Sequence, residues 1–287
     1  MRKSAFLGLS PHGFHRVAYT EWGDAANPNV LICVHGLTRN GRDFDVLAEA
    51  MQDRYRVICP DVVGRGESQW LSHAADYSYA QYLTDMNALI ARLNVPSVHW
   101  VGTSMGGLIG MMLAGQPNSP IRRLVMNDVG PFIPKASLER LAQYVGRAPT
   151  MESLDDVEQY LRVVMAPFGK LTDAQWRHMA EHSAKQSSNG NFALHYDPGI
   201  AAVFKGTVMQ DVNLWMFWQG VTCPVLVVRG ADSDLLLAET VAQMQAGRSD
   251  VTSLEVPNTG HAPALMDDAQ ISAVRNFLLE EQPKEYS

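Results

Sequence analysis

The 287-residue chain lacks any long hydrophobic run, has few cysteines and carries little basic charge, and each shortage closes off a class of protein. No stretch approaches the roughly 18 consecutive apolar residues needed to span a bilayer. The opening "MRKSAFLGLSPHG" holds an apolar run too short for a secretory signal, and Pro11 interrupts it. The three cysteines, Cys33, Cys59 and Cys223, are odd in number and show no paired metal-ligand spacing, so neither a disulfide framework nor a metal ribbon is indicated. Each sits in or beside an apolar strand-like run, where a reducing compartment would leave it a buried thiol. Lys and Arg total 23 against 30 Asp and Glu, and no basic cluster offsets the net charge of −7 to suit a nucleic-acid backbone. These shortages predict a soluble, cytoplasmic protein that engages neither nucleic acid nor membrane. They say nothing of oligomeric state.

What is present is a globular composition, 46% hydrophobic and 18% charged, on a chain long enough for one large α/β domain with an insertion. Apolar strand-like runs alternate with helical patterns. "NVLICVHG" (29–36) precedes "DFDVLAEAMQ" (43–52), and "YRVICPDVVGRGES" (55–68) precedes the amphipathic "YSYAQYLTDMNALIARLN" (77–94). "SVHWVG" (97–102) and "RRLVMNDVGP" (122–131) continue the series. Near-continuous apolar strands between helices predict a mostly parallel central sheet with helices on both faces. From 132 to 215 helical segments such as "SLERLAQYV" and "DDVEQYLRVVM" occur without a convincing buried strand. "TCPVLVVRG" (222–230) and "VTSLEVPNTGH" (251–261) then restore the strand pattern, and a helix over 267–281 closes the chain. The expected organisation is a sheet domain over 1–131 and 216–287, with a helical insertion over 132–215.

One hydroxyl stands among glycines in "VHWVGTSMGGLIGMML" (98–113), where strand pattern meets helix pattern. Glycine inside regular structure costs about 0.5–1 kcal/mol relative to alanine, so these glycines need a reason. Strand, G-x-S-x-G, helix is the nucleophile elbow, a sharp turn that projects the serine over the sheet. Gly102 and Gly106 would lack side chains so that the turn can close around Ser104. The helix starting there would aim N–H groups and its positive end at any anion formed beside the serine.

With this motif the chain resembles the α/β-hydrolase family over nearly its full length. "VHGLTRNGRDF" is similar to that family's His-Gly loop, "PDVVGRGES" to its D-x-x-G-x-G-x-S segment, and "NTGHAP" to the loop bearing its catalytic histidine. The insertion falls where the family places a cap. The resemblance implies Ser104 as nucleophile, His261 as general base, and the backbone N–H groups of Leu37 and Met105 as an oxyanion hole. Most members carry the orienting acid three residues past the strand-ending glycine, but here that place holds Ser233, between Asp232 and Asp234. This departure resembles an esterase subgroup whose acid lies after the preceding sheet strand, which favours Asp128 and leaves Asp234 and then Asp232 as alternatives. The alternatives have plain readings as helix-capping residues, and Asp128 as a hinge residue.

Other residues carry weaker signals. His35 would shape the oxyanion loop from the substrate-binding side, and Asp61 would tie down its own glycine-rich loop. Arg39 either meets a substrate carboxylate or is a surface arginine. Phe132, Trp215 and Trp218 either line the substrate pocket or pack the core, as do Phe217, Met165 and Phe168. "HMAEH" matches a zinc-protease pattern through His178, Glu181 and His182, but a solvated helix face explains it as well. The expectation is a cofactor-free, metal-free serine hydrolase acting on a small-molecule carboxylic ester, a short hydroxyacid ester or oligomer by general family likeness. Carbon–carbon bond hydrolysis, cofactor-free haloperoxidase chemistry and ligand binding without turnover are the alternatives.

Overall fold

The computed structural model describes residues 1–204 and 208–280. Its main sheet has eight strands: β1 (Arg2–Ser10), β2 (Gly13–Trp22), β3 (Val30–Val34), β4 (Arg56–Pro60), β5 (Val98–Thr103), β6 (Ile121–Asn127), β7 (Val225–Gly230) and β8 (Val251–Val256). They lie in the order β1-β2-β4-β3-β5-β6-β7-β8. From β4 onward all neighbours are parallel. The expected mostly parallel sheet is thus the observed one.

The side chains of β3 show how sequence becomes two layers. All five residues are buried, yet Ile32 and Val34 join one apolar cluster and Leu31 and Cys33 the other, because successive side chains leave opposite faces. Against the first face pack α2 (Tyr79–Leu93), α3 (Met105–Ala114) and α8 (Ala238–Gln245), through Met86, Leu89, Ile109 and Met244. Against the second pack α1 (Asp45–Met51) and α9 (Asp268–Leu279), through Leu47, Met51, Ile271 and Phe277. Helix α3 is apolar nearly all round, as a helix enclosed by protein must be. Of the expected 267–281 helix, α9 takes Asp268–Leu279 with Asp267 and Glu280 as its caps, and Glu281 lies outside the described residues.

The sequence reading missed the β1–β2 hairpin. Its strands pair antiparallel, Leu9 opposite Phe14, and β2 in turn pairs antiparallel with β4. The signal was a period-2 alternation, exposed Phe14 and Arg16 against buried His15 and Val17, around a Pro11-His12-Gly13 turn. An edge hairpin that exposes Leu7, Leu9 and Phe14 beside Arg16 and buries Ser10 and His15 does not show the unbroken apolar run of the interior strands.

Between β6 and β7 the chain runs through α4 (Lys135–Ala142), α5 (Leu154–Val164), α6 (Asp173–Ser183) and α7 (Trp215–Trp218). Capping boxes at Ser153–Asp156 and Thr172–Gln175 start α5 and α6. These two helices close a small core of their own with Val157, Leu161, Trp176 and Met179. Two short strand pairs were not foreseen. Phe132–Ile133 pairs with Val212–Asn213, and Ala184–Gln186 pairs with Phe192–Leu194. Among the described residues no helix is long and apolar enough to cross a membrane.

Candidate active site

The parallel strands end along one edge of the sheet, and the loops leaving that edge carry the site. Ser104 links β5 to α3 with φ 51° and ψ −115°, a backbone region that costs a non-glycine residue on the order of 1–3 kcal/mol. The turn is as tight as its glycines suggest. A Cβ on Gly102 would lie 2.2 Å from the carbonyl oxygen of Gly106, and one on Gly106 would lie 2.0 Å from that of Val34. The Ser104 N–H donates to the Asn127 carbonyl at 2.9 Å, pinning the elbow to the end of β6.

The next residue is Asp128, buried and also at positive φ. Three donors converge on its carboxylate: the Gly230 N–H at 2.7 Å, the Ser233 hydroxyl at 2.6 Å and His261 Nδ1 at 2.8 Å. A buried carboxylate needs such donors to replace water. His261 Nε2 lies 2.9 Å from Ser104 Oγ. With Nδ1–H donating to Asp128, Nε2 keeps its lone pair toward the serine hydroxyl.

The alternative acids are elsewhere. Asp234 is bound through both oxygens to Arg140 of α4, at 2.5 and 2.8 Å, and Asp232 is exposed. Ser233 was visible in the sequence only as a departure. Its hydroxyl donates to Asp128 and accepts from the N–H groups of Leu235 and Leu236 at 3.2 and 3.1 Å. The place where the family resemblance leads one to expect an acid here carries a hydroxyl that clamps the carboxylate arriving from the neighbouring loop.

Leu37 and Met105 border the same cavity as Ser104. Met105 opens α3, so its N–H has no carbonyl one turn back to bond. The residue that braces both is Arg65, which sequence reasoning did not single out. It is fully buried, and its guanidinium donates to the carbonyls of Leu37 at 2.8 Å and Val63 at 2.7 Å, and to Tyr82 Oη at 3.0 Å. Nη2 also lies 3.7 Å from Met105 Sδ. An arginine between two glycines reads as a turn residue, and nothing local marks it as buried.

Several expected lining residues are placed differently. His35 is buried beneath the loop rather than facing the cavity. Its Nδ1–H donates to the Gly36 carbonyl at 2.7 Å, and Nε2 accepts the Val62 N–H at 2.9 Å. Burial pushes its pKa down to about 3, so it stays neutral. Arg39 borders the cavity but is neither a surface residue nor free, because Asp43 takes its Nε and Nη2 and Ser183 its Nη1. Trp218 is buried under the Arg248 guanidinium, and Trp215 and Phe217 pack on the core. Phe132 pairs with Asn213 beside the cavity, while its neighbour Ile133 lines it. Met165 and Phe168 do line it. Asp61 accepts the N–H groups of Gly41 and Glu67, both at 2.8 Å, and so ties two loops together.

The cavity above Ser104 measures about 870 Å³, within the range of small-molecule sites. Leu108, Met112 and Val129 form its floor, and Leu141, Val145 and Phe168 come from the segment between β6 and β7. The His178–Glu181–His182 group lies on α6 outside this cavity. Glu181 turns to Arg177 at 3.5 Å, and Arg42 reaches both Asp45 and His182 Nδ1, the latter at 3.5 Å. Burial, then the Arg42 charge, push the His182 pKa down to about 4.

Sheet order, elbow and loop placement define a hydrolase of the α/β fold. Residues 29–268 match the family model described as alpha/beta hydrolase fold, and the chain belongs to that family. It is 50% identical to a 3-hydroxybutyrate-oligomer hydrolase of Cupriavidus necator, over 94% of each chain. It is 26% identical to a 2-(acetamidomethylene)succinate hydrolase of Mesorhizobium japonicum, over 87% of each. The solved structure of an alpha/beta hydrolase from Novosphingobium aromaticivorans superposes with a TM-score of 0.84 at 35% identity, covering 96% of this chain and 98% of that one.

Proposed function

We propose that this hydrolase cleaves short hydroxyacid esters, 3-hydroxybutyrate oligomers foremost, through an acyl-enzyme on Ser104. The observation that carries the reading is the unbroken contact from Ser104 Oγ to His261 Nε2 (2.9 Å) and from His261 Nδ1 to Asp128 (2.8 Å). Serine is a weak nucleophile until a base takes its proton. His261 takes that proton as Oγ bonds to the ester carbonyl carbon, and the negative charge moves onto the carbonyl oxygen. The N–H groups of Leu37 and Met105 receive that oxygen, with Arg65 holding the Leu37 peptide in place; each such donor is worth roughly 2.7–4 kcal/mol. Collapse breaks the C–O bond, and His261 passes its proton to the departing alcohol. Water then attacks the acyl carbon, gives a proton to His261, and the acid leaves as Ser104 regains its hydrogen.

The substrate class rests on two supports: the largely apolar cavity, and the 3-hydroxybutyrate-oligomer hydrolase half identical to this chain. The segment 132–215 serves as a cap that shapes the acyl pocket. Unpaired cysteines at 33, 59 and 223 favour a cytoplasmic setting. The test is labelling by a fluorophosphonate probe together with hydrolysis of the 3-hydroxybutyrate dimer and trimer and of p-nitrophenyl butyrate. Wild type should label at Ser104 and turn over all three, and Ser104→Ala should do neither. Labelling without oligomer hydrolysis would reject the substrate class, and absence of both would reject the ester chemistry.

A further inference from the structure

A second cluster of chemistry-bearing side chains lies at the rim of the cavity, apart from the serine. His12 sits in the β1–β2 turn, whose geometry is held by its own N–H donating to Ser10 Oγ at 3.2 Å. His73 and Asp76 are one turn apart in the loop before α2, with the Asp76 N–H donating to the His73 carbonyl at 3.0 Å. His12 Nδ1 lies 2.8 Å from Asp76 Oδ2, and the His12 and His73 rings stack with centroids 3.6 Å apart. One ligand atom from each of the three residues falls within 4.8 Å of the others. Ser72 Oγ, 3.0 Å from His73 Nδ1, orients that ring from behind, as partners of metal-binding histidines do.

Charge separates this cluster from the one on α6. There Asp45 is already neutralised by the Arg42 guanidinium, which fills the position a cation would take. Among the described residues no lysine or arginine pairs with Asp76, although its side chain is only 6% exposed. A nearly buried carboxylate faces two imidazoles that reach solvent, with no basic side chain between them.

We propose that His12, His73 and Asp76 bind one divalent transition-metal ion of the Zn2+ class, with water completing a four-coordinate shell. Two imidazoles and one carboxylate suit Zn2+ over Mg2+ or Ca2+, which prefer all-oxygen sites. The ion would staple the β1–β2 turn to the cavity wall, because Ala74 and Ala75, between the two loop ligands, line the cavity. Tyr77 Oη, donating to Asp197 at 2.6 Å, carries the same wall on to the segment between β6 and β7. The site uses none of the groups assigned to ester cleavage and stands independently of them.

The experiment is equilibrium dialysis of the full-length, tag-free chain against ZnCl2, with metal content and thermal midpoint read together. Wild type and His178→Ala should each hold one Zn2+ per chain and gain about 3 °C or more in midpoint at a 100-fold excess of metal over Kd. His73→Ala and His12→Ala should lose that stoichiometric ion and the midpoint gain while folding normally without metal. Because two of the three ligands are imidazole nitrogens, Mg2+ in place of Zn2+ should give no gain. Retention of the ion by His73→Ala, its loss in His178→Ala, or failure of wild type to hold Zn2+ would each overturn the proposal.

Discussion

Asp128 and Ser233 together explain how a hydroxyl can stand where the family resemblance leads one to expect an acid. The Asp128 carboxylate comes from the end of β6, and the Ser233 hydroxyl donates to it from the loop after β7. Exchanging Asp128 for Asn would place an NH2 or a neutral oxygen against His261 Nδ1 and favour the wrong imidazole tautomer. Asp128→Asn should therefore lose roughly four orders of magnitude in kcat, the scale of the corresponding change in serine proteases. Asp234→Asn breaks an exposed ion pair with Arg140 and should keep kcat within about threefold. Steady-state kinetics of both variants decide the matter, and a fast Asp128→Asn enzyme would refute the assignment. The three carboxylates could not be separated by spacing, because 128 and 232–234 are brought together by adjacent parallel strands about a hundred residues apart. Ser104 and His261, by contrast, each sit in a local motif.

At the scale of elements, the β5–α3 elbow is limited by backbone against backbone. Gly106→Ala would force a methyl to within 2.0 Å of the Val34 carbonyl oxygen, on the adjoining strand β3. Neither strand nor helix can shift without losing its own hydrogen bonds, so the variant should be destabilised by about 3 kcal/mol in urea unfolding. Gly36→Ala is the contrast: its Cβ would meet Ser104 Cβ at an ordinary 3.7 Å, and stability should stay within about 1 kcal/mol. Equal losses would mean that the elbow is looser than its contacts indicate. The interior strands and long helices were legible because burial on both faces enforces unbroken apolar runs. The edge hairpin and the short pairs between β6 and β7 were not, since half-exposed strands carry mixed residues.

Across the whole molecule, one buried and three half-buried histidines set the response to acid. Burial pushes His35 down to about 3, and His99 and His182 to about 4, from 6.5 in a free chain; His195 is lowered in the same way. Below pH 6.5 the unfolded chain takes up these protons and the folded one does not, so folding loses free energy as pH falls toward 4. Asp61, raised to about 6, and Asp85, also raised, both by burial, act in the opposite sense, because the folded state protonates first. Four histidines outweigh two acids, and the urea midpoint should drop between pH 7 and pH 5. His99→Gln should shrink that drop, and a flat or rising midpoint would contradict the balance.

The sequence by itself determined the alternation of strand and helix, the tight serine turn and the late histidine, because each is written in neighbouring residues whose backbone needs or burial leave a local pattern. Only the tertiary structure decided that Asp128 rather than Asp234 meets His261, that Arg65 underlies Leu37 and Met105, and that Trp215 and Trp218 face the core. Those outcomes depend on which loops adjoin across the sheet and which way side chains turn under packing, and no local spacing encodes either.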